Sequence, residues 1–233
     1  MNSISIVLPV HNEKDNLETL ILDWNTSLKS KRIDHEFVLV EDGSTDGTKN
    51  IILDLEKKYP IINLSQNEKR GYSLAVMDGI YSATKEYVLC TDSDNQIKVK
   101  SLIDNLNNFP EEHEFLIGFR NPRNDPFNRI IYSKLFKLLH DLIFNSKLKD
   151  PSCPFVIGKK STFVKLNKNK LLLMKEGFWW GFVGVCCIEK IKINEVSIDH
   201  FKRESGQAGY KLKNLLGIIV RNIIGIIKIK FTN

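Results

Sequence analysis

Two carboxylates one residue apart, Asp92 and Asp94, directly follow Glu86-Tyr87-Val88-Leu89-Cys90-Thr91, a run that reads as a strand ending in the open. Such a pair suits a hard divalent cation, Mg²⁺ or Mn²⁺, which prefers oxygen ligands. These ions take few protein carboxylates and leave positions for substrate phosphates. A lone D-x-D also occurs by chance in loops, so its meaning depends on what precedes it. Three further polar segments precede it, each after a strand-like run: Pro9-Val10-His11-Asn12-Glu13, then Glu41-Asp42-Gly43-Ser44-Thr45-Asp46-Gly47-Thr48, then Asn67-Glu68-Lys69-Arg70-Gly71.

The elements that must carry these segments can be read from the apolar pattern. Ser5 to Val10, Glu36 to Val40, Ile61 to Leu64 and Tyr87 to Thr91 are β-rich runs. Leu17, Leu20, Ile21, Trp24 and Leu28 recur at helical spacing, and Thr48 to Tyr59 and Gly71 to Ala83 read as further helices. Strand and helix in alternation predict an α/β fold with a mainly parallel central sheet flanked by helices. Ligands of such sheets bind outside the carboxyl ends of the strands. All four polar segments fall there, so one cleft can gather them. Farther on, Val99 to Asn108 and Asn128 to Phe144 read as helices. Phe115 to Gly118, Phe155 to Gly158 and Ile191 to Ser197 read as strands.

The chain has 233 residues, enough for one sizeable core. Its net charge is +6, and the excess gathers after Phe201, where seven Lys and Arg face one acid, Glu204. That balance suits anionic lipid or a phosphorylated substrate. It does not read as a nucleic-acid surface, because the basic residues alternate with Ile and Leu and not with stacking aromatics. Cys90, Cys153, Cys186 and Cys187 lack metal-finger spacing and read as free thiols in a reducing compartment. The chain enters Ile4 to Pro9 with no basic leader and long apolar stretch, which predicts a cytoplasmic location.

In order and spacing the four segments resemble the family 2 glycosyltransferases, of GT-A fold. That family carries "P-x-Y/H-N-E", "D-D-G-S-T-D-G-T", "N-x-G-x-x-A" and "D-A-D" or "D-S-D" segments. The chain matches at Pro9, Asn12, Glu13, Asp42, Gly43, Ser44, Asp46, Gly47, Thr48, Asn67, Gly71, Ala75, Asp92 and Asp94. The clear likeness covers roughly residues 3 to 100. A looser one in the second half points toward polyprenyl-phosphate sugar synthases of the dolichyl-phosphate mannose synthase type. It rests on Asn95-Gln96, Gly118-Phe119-Arg120, Arg129, Ser133, Glu195-Val196 and His200-x-x-Arg203-x-x-x-Gly206.

The resemblance implies a nucleotide-sugar donor held by Pro9, Asn12, Glu13, Asp42, Arg70, Gly71, Asp92, Asp94, His200 and Arg203. It implies a divalent metal on Asp92 and Asp94, with Asp94 the direct ligand. Asp42 and Glu13 can accept hydrogen bonds from ribose hydroxyls or base N–H groups. His200 and Arg203 would close over the diphosphate. Arg120, Arg129 and Ser133 would meet an acceptor phosphate. The alternative acceptor is a glycan, and a binding protein without turnover is a third possibility.

Two departures bear on the acceptor. Related enzymes often carry an acid in a "W-E-F" segment, where this chain has Phe178-Trp179-Trp180-Gly181-Phe182. Glu176 and Asp150 are the substitutes as catalytic groups. A sugar hydroxyl needs a general base, whereas a lipid phosphate is already ionised and needs none. The segment Asp150-Pro151-Ser152-Cys153-Pro154-Phe155 also departs from "D-x-x-S-G-F".

The expected division is 1–210 as the transferase domain, with 1–98 the nucleotide half and 99–210 the acceptor half, and 211–233 as a C-terminal helix. In that helix, polar or small residues at Asn214, Gly217, Arg221, Gly225 and Lys228 form one stripe. Its apolar stretches are shorter than the about 20 residues that span a bilayer. The two expectations are a helix lying in the membrane interface, or one packed on the core or on a second copy in a homo-oligomer.

Overall fold

The computed structural model describes residues 3–109, 111, 114–174, 177–203 and 215–232. The first half alternates as the apolar pattern predicts: β1 (Ser3–Val10), α1 (Leu17–Ser30), β2 (Asp34–Asp42), α2 (Thr48–Leu55), β3 (Ile61–Gln66), α3 (Tyr72–Ser82) and β4 (Tyr87–Thr91). The second half adds α4 (Lys100–Asp104), β5 (Glu114–Arg120), α5 (Phe127–Phe144), β6 (Phe155–Lys159), α6 (Lys160–Lys165), α7 (Lys168–Leu171), α8 (Phe178–Ile188), β7 (Lys192–Ile198) and α9 (Leu215–Phe231).

The seven strands make one sheet in the order β3-β2-β1-β4-β6-β5-β7. β1 pairs in parallel with β2 and β4, and β2 with β3. β6 runs antiparallel between β4 and β5, and β5 and β7 are again parallel. The fold is thus the α/β, mainly parallel sheet flanked by helices, with a C-terminal helix. Phe37, Val38, Leu39 and Val40 of β2 are buried without alternation, as a strand covered on both faces requires. β6 forms despite the altered Cys153-Pro154 pair, and the preceding turn closes through the Cys153 N–H donating to the Asp150 carbonyl at 3.1 Å. Three of the four thiols are buried, and all four are free.

The sequence pattern did not reveal α6, α7 or α8, and α8 is the longest of the three. From Phe178 to Cys186 it is buried on every side. A helix enclosed all round has no polar face to set a period, so it leaves no amphipathic signature. The helix expected from Val99 to Asn108 is broken into α4 and a 3₁₀ turn at Leu106–Asn108.

α9 packs on the protein. Ile218, Ile226 and Ile229 are buried, and the helix lies on α8, α5 and α7. Gly181 of α8 sits under this contact. A Cβ there would lie 2.4 Å from Met174 Cγ and 3.0 Å from Ile229 Cδ1. Position 181 is therefore a packing position filled by α9 and Met174. No helix among the described residues is long and apolar enough to cross a membrane.

Candidate active site

The loops after β1, β2, β3 and β4 are stitched to one another at the carboxyl end of the sheet. The Asn12 side chain accepts from Thr45 N–H at 2.8 Å, and its own N–H donates to Ser44 Oγ at 2.9 Å. Glu13 N–H donates to Thr48 Oγ1 at 3.0 Å. Asp42 is buried, and its carboxylate accepts the Arg70 N–H at 2.6 Å and the Gly71 N–H at 2.8 Å. It thereby fixes the entry to α3. Gly43 has φ +69°, and a Cβ on it would stand 2.5 Å from Lys69 N, so the two loops meet backbone to backbone only because this residue is glycine. Ser93 Oγ donates to the Pro9 carbonyl at 2.7 Å and ties the two-carboxylate loop to β1.

The acids and Arg203 form the charged floor. Arg203 bridges Glu13 Oε1 and Asp94, with its Nη1 3.8 Å from Asp94 Oδ2. Glu13 also accepts from Asn16 Nδ2 at 2.6 Å, and burial raises its pKa. Asp92 is pushed up to about 7, first by burial and then by the charge of Asp94. Burial raises Asp94 as well. Two such carboxylates in poor contact with water favour a cation beside them. Asp92 and Asp94 therefore fit a divalent metal by donor type and by the repulsion that a metal relieves. Among the described residues no group of three or more His, Cys, Asp or Glu is gathered for a metal.

Behind Asp92 runs a relay absent from the sequence reading. Trp179 Nε1–H donates to Tyr72 Oη at 2.9 Å, and Tyr72 O–H donates to Asp92 Oδ1 at 2.6 Å. It joins α8 to the carboxylate pair.

The other expected residues take varied places. The Arg70 side chain turns to Asp78 on α3 and does not reach the carboxylates. His200 Nδ1 accepts from Asn124 N–H at 3.1 Å, and burial followed by the charge of Arg120 lowers its pKa to about 4. A neutral imidazole pins the loop after β5; it does not offer a positive charge to a diphosphate. Glu176 lies outside the described residues.

Arg120 and Asp150 form a buried bidentate pair, Nε to Oδ2 at 2.7 Å and Nη2 to Oδ1 at 3.0 Å. Although burial alone would raise Asp150, the Arg120 hydrogen bonds and charge hold it at about 2. So weak a proton acceptor is ill suited to the catalytic-base role expected of it. Arg129 meets Asp125 at 3.1 Å, and Ser133 accepts from Arg123 at 2.8 Å. Arg123 and Asp125 were not foreseen, for no motif marks them. Beside this cluster opens a cavity of about 310 Å³ lined by Arg120, Arg123, Ser133, Lys137, Lys149 and Trp180, among others. Arg120 and Arg129 both lower the Asp92 pKa, so the cationic cluster is within electrostatic reach of the carboxylate pair.

A parallel α/β half with paired aspartates at the end of β4, continued through an antiparallel β6, defines a glycosyltransferase of GT-A fold. The chain belongs to the family described as Glycosyl transferase family 2, whose profile matches residues 5–168. Its fold is similar to mannosyl-3-phosphoglycerate synthase from Rubrobacter xylanophilus, at TM-score 0.68 and 14% identity, covering 98% of this chain and 73% of that one. It is similar too to glucosyl-3-phosphoglycerate synthase from Mycobacterium tuberculosis in complex with phosphoglyceric acid, at TM-score 0.66 and 17% identity, covering 98% and 80%. A complex of that synthase with Mn²⁺, uridine diphosphate and glucosyl-3-phosphoglycerate matches at TM-score 0.68 and 17% identity, covering 97% and 79%.

Proposed function

We propose that the protein transfers a sugar from a nucleoside diphosphate donor to the phosphate of a lipid carrier, with a divalent cation held by Asp92 and Asp94. The observation that carries the donor half is the joining of Glu13, Arg203 and Asp94 at the strand ends that also hold Asp42. Glu13 and Asp42 bind ribose and base. Arg203 neutralises the diphosphate. Bound there, the cation adds charge neutralisation to the departing diphosphate. An acceptor phosphate oxygen attacks the anomeric carbon, and the glycosidic electron pair leaves with the diphosphate, inverting the configuration. The phosphate is already ionised, so a base is not needed and the engagement of Asp150 with Arg120 is no obstacle. The cationic cavity beside Arg120 and Arg123 receives the acceptor phosphate.

The neighbours named for phosphoglycerate products support a second reading, a small phosphorylated acid as acceptor. A cavity of about 310 Å³ is ample for one. A panel assay decides: labelled UDP- and GDP-sugars with Mn²⁺, offered polyprenyl phosphate, 3-phosphoglycerate or oligosaccharide. The lipid reading expects label in polyprenyl phosphate alone and its loss in Asp94→Ala. Normal transfer by that variant would remove the metal assignment. Label in phosphoglycerate would replace the lipid.

A further inference from the structure

α5 presents an unexpected surface. Phe127, Ile131, Leu135, Leu138 and Leu142 are exposed, at 78%, 40%, 59%, 67% and 84%. At roughly 100° per residue these five fall within an arc of about 80°, so they form one outward stripe. The inward side of the helix is satisfied separately, by Phe136, His140 and Phe144 against Trp180 and the core. α9 repeats the arrangement. Its buried Ile218, Ile226 and Ile229 lie opposite an exposed row of Val220, Ile224, Ile227 and Phe231. The two helices touch, with Lys230 Nζ 5.8 Å from the Phe144 ring centre.

Both stripes are edged by cations. Lys134 on α5 is exposed, as are Arg221, Lys228 and Lys230 on α9. The acid on the outer part of α5, Asp141, is already paired with Lys137. An apolar row bordered by Lys and Arg is the pattern of a helix resting at a membrane interface. A second copy fits less well, because a two-fold contact would bring like-charged borders together. The cavity proposed for the acceptor phosphate takes Ile130, Ser133, Lys134 and Lys137 from the neighbouring face of the same α5.

We propose that α5, with α9 beside it, is the face that docks on an anionic membrane surface. This deepens the lipid-phosphate reading, on which its purpose rests. Lying on that face, the protein holds the cationic cavity at headgroup level.

The test is flotation of the full chain with phosphatidylcholine vesicles, with and without phosphatidylglycerol. The triple variant Leu135→Gln, Leu138→Gln, Leu142→Gln changes exposed positions, and its thermal melt verifies folding. The expected result is binding to anionic vesicles that falls about tenfold or more in the variant. Transfer to a short water-soluble isoprenyl phosphate should be unchanged. A parallel set, Val220→Gln with Ile224→Gln, should weaken binding in the same direction. Equal flotation of wild type and both variants would overturn the proposal. So would a vesicle-free dimer that the α5 variant dissociates, which would assign the face to a second copy. Anionic-vesicle binding together with no transfer to any polyprenyl phosphate would sink the acceptor reading and leave the docking face supported.

Discussion

Asp92 is held from behind by a phenol that an indole supports, and the bond falls on one of its two oxygens. Oδ1 accepts from Tyr72, itself bonded to Trp179. Tyr72→Phe should leave the fold in place and weaken the carboxylate's hold on a metal. The Tyr72 hydrogen bond holds the Asp92 pKa down against burial, so without it a proton competes harder for the carboxylate near pH 7 and Mn²⁺ affinity in the presence of UDP should fall several-fold. Electron paramagnetic resonance of free Mn²⁺ during titration measures this directly. Unchanged affinity would mean that the relay only packs α8. Glu13, Asp42, Asp92 and Asp94 were legible in the sequence because each sits in a short segment directly after a strand-like run. The relay was not. Trp179 and Tyr72 are 107 positions apart, and nothing local to either marks the partner. The same holds for Arg203 and Glu13, 190 positions apart: the resemblance named each as a donor residue, but nothing in the sequence marked their pairing.

At the scale of elements, legibility followed exposure. α1 announced itself because one face is buried and the other wet, whereas α8 is enclosed and has no such period. α8 nevertheless organises the second half: it presents Trp179 to the relay, Trp180 to the cationic cavity and Gly181 to α9. Successive residues on a helix point in different directions, so position 181 faces the α9 contact and not the carboxylates. An acid restored there should not restore a base. Gly181→Glu is expected to crowd Met174 and Ile229 and to bury a charge, costing about 1–3 kcal/mol from overpacking alone. Urea denaturation should show the loss, and transfer activity should not rise. A variant of wild-type stability with increased transfer to a hydroxyl acceptor would show this contact to be misread.

For the whole molecule, buried titratable groups shape how stability responds to acid. His140 is fully buried, and its Nε2–H donates to the Trp180 carbonyl at 2.9 Å. Burial lowers its pKa from 6.5 to about 4. Between those values the unfolded chain binds a proton that the folded chain refuses, so acid favours unfolding. The contribution is complete above pH 6.5 and is lost as pH falls toward 4. Its size is about 3 kcal/mol by linkage, a large share of the roughly 5–15 kcal/mol that holds a typical domain. His200 titrates in the same direction. Asp150, lowered from 3.8 to about 2 with Arg120 as partner, acts in a separate window. Its contribution is present above pH 3.8 and is lost as pH falls through 2. Asp92, raised from 3.8 to about 7, acts in the opposite sense over the upper window, because there the folded chain takes up a proton that the unfolded chain does not. The histidine contribution is therefore read from the difference between wild type and a His140 variant, by urea denaturation at half-unit steps from pH 7.5 to 4. His140→Gln keeps a donor for the Trp180 carbonyl and should flatten the slope by about one proton between pH 6.5 and 4. Parallel curves for the variant and the wild type would mean that the imidazole is protonated in the folded protein, with Ser146 Oγ, 3.2 Å from Nδ1, accepting its second proton.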